Sequence, residues 1–293
     1  MAFNRQTFQT RTLTAIIFAA VMLTGLFWNH WSFFILFTII HFGCWWEYFK
    51  LVEKIHPDSG GAGIHRYTRL GFMLIGFAIM LLFCGPAFKI NDYHLKENFS
   101  FPVSVAGFVM LGMGIFQTPK ISLKIFGYLA LGLLYISLCW GLMMDLRQYG
   151  MVFKGNLSML DFGFIIPAGL IFSIWINDTM AYIVGSLFGK TPLSKVSPKK
   201  TWEGTIGGAV LAIVIMSLVG YFIVGTSLIN SAIIAAIAAV FGTFGDLFES
   251  KLKRMAGVKD SGSLMPGHGG FLDRFDSLLL AVPAVWLYVV LFL

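Results

Sequence analysis

Charged residues are scarce in this 293-residue chain, where Asp, Glu, Lys and Arg together make up 12%. Soluble domains usually carry about 25% of these residues. Hydrophobic residues make up 57% of the chain, and the mean hydropathy is +0.80. These values argue against a soluble enzyme and predict an integral membrane protein.

Cysteine is also scarce, and its placement excludes two kinds of site. The three cysteines, Cys44, Cys84 and Cys139, all lie in apolar runs. They are interpreted as small buried hydrophobes and not as disulfide partners or metal ligands. No segment repeats at a fixed period, and the inverted repeats of many transporters are not apparent.

Long apolar runs are abundant and predict an all-α, polytopic fold with about nine transmembrane helices, because a spanning helix needs about 20 apolar residues. The predicted spans are 12–29, 31–50, 70–89, 101–117, 122–144, 163–187, 204–226, 229–249 and 275–293. The first is expected to be retained, since no small-x-small cleavage site follows it.

Lysine and arginine placement predicts the orientation. With nine spans, 17 of the 21 basic residues fall on the side of the N-terminus. Basic loops stay in the cytoplasm, so the N-terminus is expected there. We predict a transmembrane scaffold of about five spans over 1–160 and a catalytic region over 161–293, with cytoplasmic loops 188–203 and 250–274.

A polar insert, Ser250 to Asp276, separates the last two apolar runs. Its 27 residues include five cations, three carboxylates, a histidine and five glycines. Charge is costly in hydrocarbon, so these groups must face water, protein or ions. Asp273 and Asp276 lie three residues apart near a helix N-terminus, which favours anions. The combination suits binding of polyphosphate and a divalent metal at the membrane surface.

Asp246, Glu249 and Ser250 share one helical face at the end of the eighth span. An acidic group at this depth usually faces the protein interior or a watery cavity. The alternative is a solvated helix end.

Two further features each leave two interpretations open. Lys195, Lys199 and Lys200 form a compact anion site in Ser194–Gly204, or they serve only membrane topology. Asp178 lies inside the sixth span, where a charge costs on the order of 2.5–3.5 kcal/mol. It is either a substrate or cation ligand, or it pairs with a buried lysine.

With these residues in view, the chain resembles the phosphatidate cytidylyltransferases, or CDP-diacylglycerol synthases. The resemblance covers about residues 173–277, including the SPKKTWEG segment, and departs only at Met265, where the family has Leu, Ile or Phe. The matching signature residues are Ser250, Lys253, Arg254, Lys259, Asp260, Gly262, Pro266, His268, Gly269, Gly270, Asp273, Arg274 and Asp276.

The resemblance implies that CTP and phosphatidic acid react to give CDP-diacylglycerol and pyrophosphate. It also implies that Asp246 and Asp273 are Mg²⁺ ligands, with Asp276 and Glu249 nearby. A second divalent ion or a monovalent cation remains open as an addition. Mg²⁺ suits such a site because it takes few carboxylates and completes its shell with phosphate oxygens and water.

The remaining site residues are expected to contact the substrates. The basic candidates for the triphosphate and the lipid phosphate are Lys199, Lys200, Lys253, Arg254, Lys259 and Arg274. Further candidates for substrate contact are Ser197, Asp178, His268, Gly269 and Gly270. The partners expected are CTP, phosphatidic acid and the bilayer of a bacterial inner membrane, with a homodimer possible and no nucleic acid.

Two rival functions remain. A CTP-dependent lipid kinase of the polyprenol or phytol type would transfer the γ-phosphate to a lipid alcohol. A transporter would need polar residues at mid-depth in several spans, whereas here they gather at the cytoplasmic ends.

Overall fold

The computed structural model describes residues 5–57, 64–117, 122–152, 161–263 and 269–293, and its structure is helical almost throughout. The α-helices are α1 Arg5–Phe27, α2 His30–Ile55, α3 Arg66–Leu82, α4 Ser100–Gln117, α5 Leu123–Gly132, α6 Cys139–Val152, α7 Ile165–Phe188, α8 Trp202–Val219, α9 Leu228–Met255 and α10 Phe271–Phe292. Strands β1 Lys89–Ile90 and β2 Tyr93–His94 form one antiparallel hairpin, with Lys89 opposite His94.

Three π-helical segments lengthen the α-helices into continuous runs. Leu95–Phe99 leads into α4, Leu133–Leu138 joins α5 to α6, and Gly220–Val224 extends α8. The described residues therefore contain nine helical runs, as predicted, and the all-α fold is confirmed.

Seven of these runs are long and apolar enough to cross a bilayer. They are His30–Ile55, Leu95–Gln117, Leu123–Tyr149, Ile165–Phe188, Trp202–Val224, Leu228–Met255 and Phe271–Phe292. The apolar part of α1, Thr12–Phe27, is shorter, and α3 has 17 residues, so their spanning stays a prediction. The chain is an integral membrane protein.

The third run differs from its predicted bounds of 70–89. Helix α3 begins earlier, at Arg66, and ends at Leu82. Phe83 and Cys84 close its last turn on the carbonyls of Met80 and Leu81. Gly85 and Pro86 then follow, and proline has no amide hydrogen to continue a helix. The predicted span was too long at this end because apolar residues continue after Leu82, where the helix stops.

The eighth run also differs, because α9 continues through the first part of the predicted loop 250–274 and ends at Met255. The amides of Gly257 and Val258 bond to the carbonyls of Arg254 and Lys253 at 3.1 and 2.9 Å. Gly257 has φ +67°, the left-handed conformation that commonly closes a helix. The polar residues from Ser250 onward therefore do not end the helix, although they end the apolar run.

The chain divides into two packing units. The first consists of Met1–Asp145 and Leu252–Arg274, and the second of Leu146–Lys251 and Phe275–Leu293. This is a division by packing, so the functional division predicted at residue 160 stays a prediction.

In the first unit, small residues let two helices approach closely. A Cβ on Gly71 of α3 would meet the backbone of Gly107 and Leu111 of α4 at 2.9 and 2.8 Å. Close backbone contact of this kind is a usual basis of helix packing in membranes. The aromatic core beside it contains the buried Ser137 hydroxyl, which accepts from Trp45 Nε1 at 2.8 Å.

In the second unit, glycines bring the acid-bearing helices together. A Cβ on Gly208 of α8 would meet the Asn177 carbonyl of α7 at 2.7 Å. A Cβ on Gly245 of α9 would overlap with the Asp276 carbonyl of α10. Because Gly245 precedes Asp246, this contact brings the Asp246 and Asp276 segments together.

Candidate functional site

The loop between α7 and α8 is a hairpin closed by backbone hydrogen bonds. The Trp202 amide donates to the Thr191 carbonyl at 3.0 Å, and the Leu193 amide donates to the Lys200 carbonyl at 2.7 Å. Pro192 and Thr201 face each other as an antiparallel pair. The backbone of Lys200 therefore has a fixed position.

Two side chains anchor this hairpin to α8. The Glu203 carboxylate accepts from the amides of Lys190 and Thr191 at 3.1 and 3.2 Å. The Thr201 hydroxyl accepts from the Gly204 amide at 3.2 Å and so caps the helix. The lysine-bearing segment is thus tied to the end of a membrane helix.

Lys200 meets acidic groups from α7, α9 and α10. Its ammonium forms an ion pair with Asp246 and is attracted also by Asp178 and Asp276. Burial would lower the pKa of Lys200, but these carboxylates outweigh it and raise the pKa, so the side chain is charged at neutral pH. We call these four residues the Lys200 cluster.

The carboxylates of the Lys200 cluster differ in exposure. Asp276 is buried and its carboxyl group interacts with that of Asp246. Asp178 is exposed on α7 and accepts from Asn177 Nδ2 at 3.4 Å. Asn177 itself is buried, and its Oδ1 finds no hydrogen-bond donor among the residues that the structure describes.

The Lys200 cluster suits an oxygen-binding cation. Three carboxylates share a single ammonium. Asn177, which contacts Asp178 through its Nδ2, has a buried side-chain oxygen without a donor among the described residues. The described ranges hold no group of three or more His, Cys, Asp and Glu side chains placed to enclose a metal. A cation here would therefore need further oxygens from water or substrate, which is how Mg²⁺ is usually held.

Asp273 lies in a second cluster, in the first packing unit. Its carboxylate accepts from Lys253 Nζ at 2.6 Å, from the Gly270 amide at 2.8 Å, and from both the amide and the hydroxyl of Ser261 at 2.9 Å. The Ser261 hydroxyl also contacts Glu47 at 2.7 Å. We call these five residues the Glu47 cluster.

The other predicted residues have varied surroundings. Lys199, Arg254, Lys259 and Arg274 are exposed, and Ser197 is half-buried with its carbonyl bound to the Lys200 amide. Glu249 is fully buried in α9.

The backbone conformation and the space around Gly269 explain why a glycine is needed at this position. Gly269 has φ +80°, and a Cβ on it would lie 2.6 Å from an Asp273 oxygen. His268, predicted to contact substrate, lies outside the described residues. The substrate and metal roles given to all these residues stay predictions.

Glu47 is the residue that the sequence reasoning missed, because the first half of the chain was interpreted as scaffold. It lies inside the predicted second span, 31–50, where a carboxylate is costly. Glu47 is therefore a candidate on the same physical ground as Asp178, a carboxylate inside a predicted span. Its partners, which lie more than 200 residues away in the chain, could not be predicted that way.

The fold and these clusters define a class: polytopic helical membrane proteins with lysine–carboxylate sites at the ends of their spans. The sequence model of the cytidylyltransferase family matches residues 9–292 of this chain. The chain belongs to the cytidylyltransferase family, and the predicted resemblance is confirmed.

Three curated relatives have names of the same kind. A chloroplastic phosphatidate cytidylyltransferase 4 of Arabidopsis thaliana is 35% identical over 80% of this chain and 61% of its own length. The phosphatidate cytidylyltransferase of Staphylococcus saprophyticus is 32% identical over 71% of this chain and 74% of its own. That of Bacillus subtilis is 39% identical over 57% of this chain and 59% of its own.

The matches thus cover less than two thirds of the Arabidopsis and Bacillus proteins.

Proposed function

We propose that this protein is a phosphatidate cytidylyltransferase, which converts CTP and phosphatidic acid to CDP-diacylglycerol and pyrophosphate. The family match over residues 9–292 carries this proposal. The names of the relatives support it, and the Lys200 cluster agrees with it because phosphoryl chemistry needs both cationic groups and metal-binding carboxylates.

The chemistry proposed is a single in-line displacement. An oxygen of the lipid phosphate attacks the α-phosphorus of CTP and forms a new P–O bond. The bond from that phosphorus to the bridging oxygen of the β-phosphate breaks, and the electron pair leaves with pyrophosphate. A phosphate monoester is already nucleophilic, so the protein's task is to position the substrates and stabilise charge.

Lys200 is proposed to stabilise the negative charge that spreads over the transferred group. Its backbone is held by the α7–α8 hairpin, and its ammonium remains charged against the nearby carboxylates. A donor fixed before substrate arrives needs no reorganisation during the reaction. Lys199 in the same hairpin is exposed and available to a phosphate; the roles of Lys253, Arg254, Lys259 and Arg274 stay predictions from the family resemblance.

Mg²⁺ is the proposed cofactor. The family resemblance names Asp246 and Asp273 as its ligands, with Asp276 and Glu249 nearby. Of these four residues, Asp246 and Asp276 belong to the Lys200 cluster of the second unit. When bound, Mg²⁺ neutralises phosphate charge and orients the triphosphate. The proposal also includes one additional cation at the site, either a second divalent ion or a monovalent one.

The proposed location is a bacterial inner membrane with the active loops in the cytoplasm. The distribution of 17 of the 21 basic residues on one side supports this orientation. A cytoplasmic site meets CTP directly, and phosphatidic acid reaches it from the bilayer. The homodimer stays a proposal, and light scattering in detergent would test it.

The deciding experiment uses purified protein in detergent with cytidine-labelled CTP, phosphatidic acid and Mg²⁺. We expect label in the lipid phase, pyrophosphate in the aqueous phase, and loss of both with EDTA. Lipid phosphate with CDP, formed from a lipid alcohol, would instead indicate the lipid kinase. No lipid labelling by folded protein would reject the proposed function.

A further inference from the structure

Glu47 is a buried carboxylate in the C-terminal half of α2, with 4% of its surface exposed. Burying an ionised carboxylate is costly unless hydrogen bonds replace the lost water. Three groups do so here. The amide of Phe271 donates to Oε1 at 2.9 Å, and the amide of Leu272 and the hydroxyl of Ser261 donate to Oε2 at 2.9 and 2.7 Å.

All three partners lie in or beside the segment that carries the family signature. Phe271 and Leu272 begin α10, where the first amides of a helix have no partner within the helix. A carboxylate at this end also interacts favourably with the helix dipole. Glu47 therefore satisfies the start of the helix on which Asp273 lies in the first turn.

The Ser261 hydroxyl links Glu47 to Asp273. It lies 2.7 Å from Glu47 Oε2 and 2.9 Å from Asp273 Oδ2. A hydroxyl carries one hydrogen, so the two carboxylates share it. Asp273 is otherwise held by Lys253, by Gly270 and by the Ser261 amide. Glu47 is thus linked to Asp273 through the Ser261 side chain as well as through the start of α10.

Two glycines give independent support for this close contact. A Cβ added to Gly262 or to Gly270 would overlap with the Glu47 carboxylate. Neither glycine has a positive φ among the described residues, so their backbones do not require glycine for conformational reasons. The need for glycine at both positions comes from the space that Glu47 occupies.

We propose that Glu47 is a positioning residue for cytidylyl transfer. It holds the signature segment, Ser250 to Asp276, at Ser261 and at the start of α10, so that Asp273 and Lys253 keep their arrangement. This inference rests on the proposed function. It assigns a role to the N-terminal half of the chain, from which no site residue was predicted. A Glu47 that served stability alone would affect folding without changing turnover in folded protein.

The test compares wild-type protein with Glu47→Gln in the lipid-labelling assay. Glutamine keeps the volume but places an NH₂ group against donors. We expect kcat to fall on the order of tenfold to a hundredfold, since small misplacements of reacting groups have effects of this size. The KM values for CTP and phosphatidic acid should change little, because Glu47 is buried and both of its oxygens already accept from protein groups.

Hydrogen exchange in detergent provides the second measurement. The amides of Phe271 and Leu272 should exchange faster in Glu47→Gln than in wild type. The matched control is Glu53→Gln, in the same helix, because Glu53 pairs with Arg69 and the Ile64 amide and not with the signature segment. The control should leave kcat and the exchange of these two amides unchanged.

Faster exchange of these two amides in Glu47→Gln with an unchanged kcat would overturn the positioning role. Unchanged exchange would show that Glu47 does not hold the start of α10. If Glu47→Gln does not purify as folded protein, Glu47→Asp decides: it keeps the charge but shortens the reach, so a lower kcat at unchanged KM supports the proposal and an unchanged kcat rejects it. Failure of the proposed function is seen separately, as wild-type protein that labels no lipid.

Discussion

The Glu47 cluster and the Lys200 cluster differ in how completely the protein neutralises its own carboxylates. In the Glu47 cluster, Glu47 and Asp273 accept from backbone amides, a hydroxyl and an ammonium. In the Lys200 cluster, three carboxylates share one ammonium beside an amide oxygen that lacks a donor in the described part of the chain. A satisfied cluster stabilises geometry, whereas an excess of oxygen ligands indicates a binding site.

The largest expected effect is that of Asp246→Asn, which tests whether the Lys200 cluster binds the cation. This change keeps the shape but removes the negative charge paired with Lys200. We expect turnover to fall on the order of 10²–10³-fold, as for loss of a central electrostatic group. The measurement is the initial rate of cytidine incorporation into lipid over a Mg²⁺ titration.

Asp92→Asn is the control for this change, because Asp92 is exposed in the turn between β1 and β2. It should retain full activity. Normal turnover in Asp246→Asn would show that the Lys200 cluster does not bind the cation that turnover needs.

Lys200→Met comes next, and it removes the one ammonium that the three carboxylates of the cluster share. We expect a loss on the order of 10²-fold in kcat. The carboxylates left behind repel each other, so the apparent affinity for Mg²⁺ should rise even as turnover falls. Titration of activity against Mg²⁺ measures both quantities, and weaker Mg²⁺ activation would contradict the expected excess of negative charge.

The acids and lysines of the candidate site could be selected from the sequence, because such residues are conspicuous in an apolar chain, and their roles stay predictions. Asp246 and Lys200 were both selected, but their ion pair depends on a hairpin closed by backbone bonds, which composition does not reveal. Glu47 was missed because its three donors lie far along the chain. Backbone groups at helix ends leave no pattern in side-chain composition.

The fold was more predictable, since hydropathy alone selects nine helical runs. The predicted bounds are wrong where a helix ends for a reason that hydropathy does not report. Helix α3 stops before Gly85 and Pro86 although apolar residues continue, and α9 passes through polar residues until Gly257 ends it. Membrane boundaries and helix boundaries are set by different properties of the chain.

A smaller effect is expected from Gly270→Ala, which tests the satisfied cluster. The added methyl group would overlap with the Glu47 carboxylate, so the start of α10 must shift. We expect kcat to fall on the order of tenfold. Gly112→Ala is the matched control, since nothing lies within 4 Å of its added Cβ. It should keep full activity and raise stability by about 0.5–1 kcal/mol, as expected for a helix interior.

The smallest effect is expected from Glu203→Ala, which loosens the hairpin without touching the Lys200 cluster. Two amides, of Lys190 and Thr191, lose their acceptor but can be solvated by water. We expect a few-fold rise in the KM for CTP with little change in kcat. Ser186→Ala, an exposed position on α7 whose hydroxyl bonds only within its own helix turn, should leave the kinetics unchanged. A loss as large as that of Lys200→Met would mean that Glu203 acts directly on substrate.

The closed hairpin between α7 and α8 also has an entropic consequence. Ordering one residue of a free loop costs about 1–2 kcal/mol, and in this loop the backbone bonds of Leu193, Lys200 and Trp202 have already imposed that order. A nucleotide that binds there does not have to freeze the segment, so more of its interaction energy remains as affinity. The hairpin would therefore keep one shape with and without nucleotide, and adaptation to substrates of different size would have to occur elsewhere in the protein.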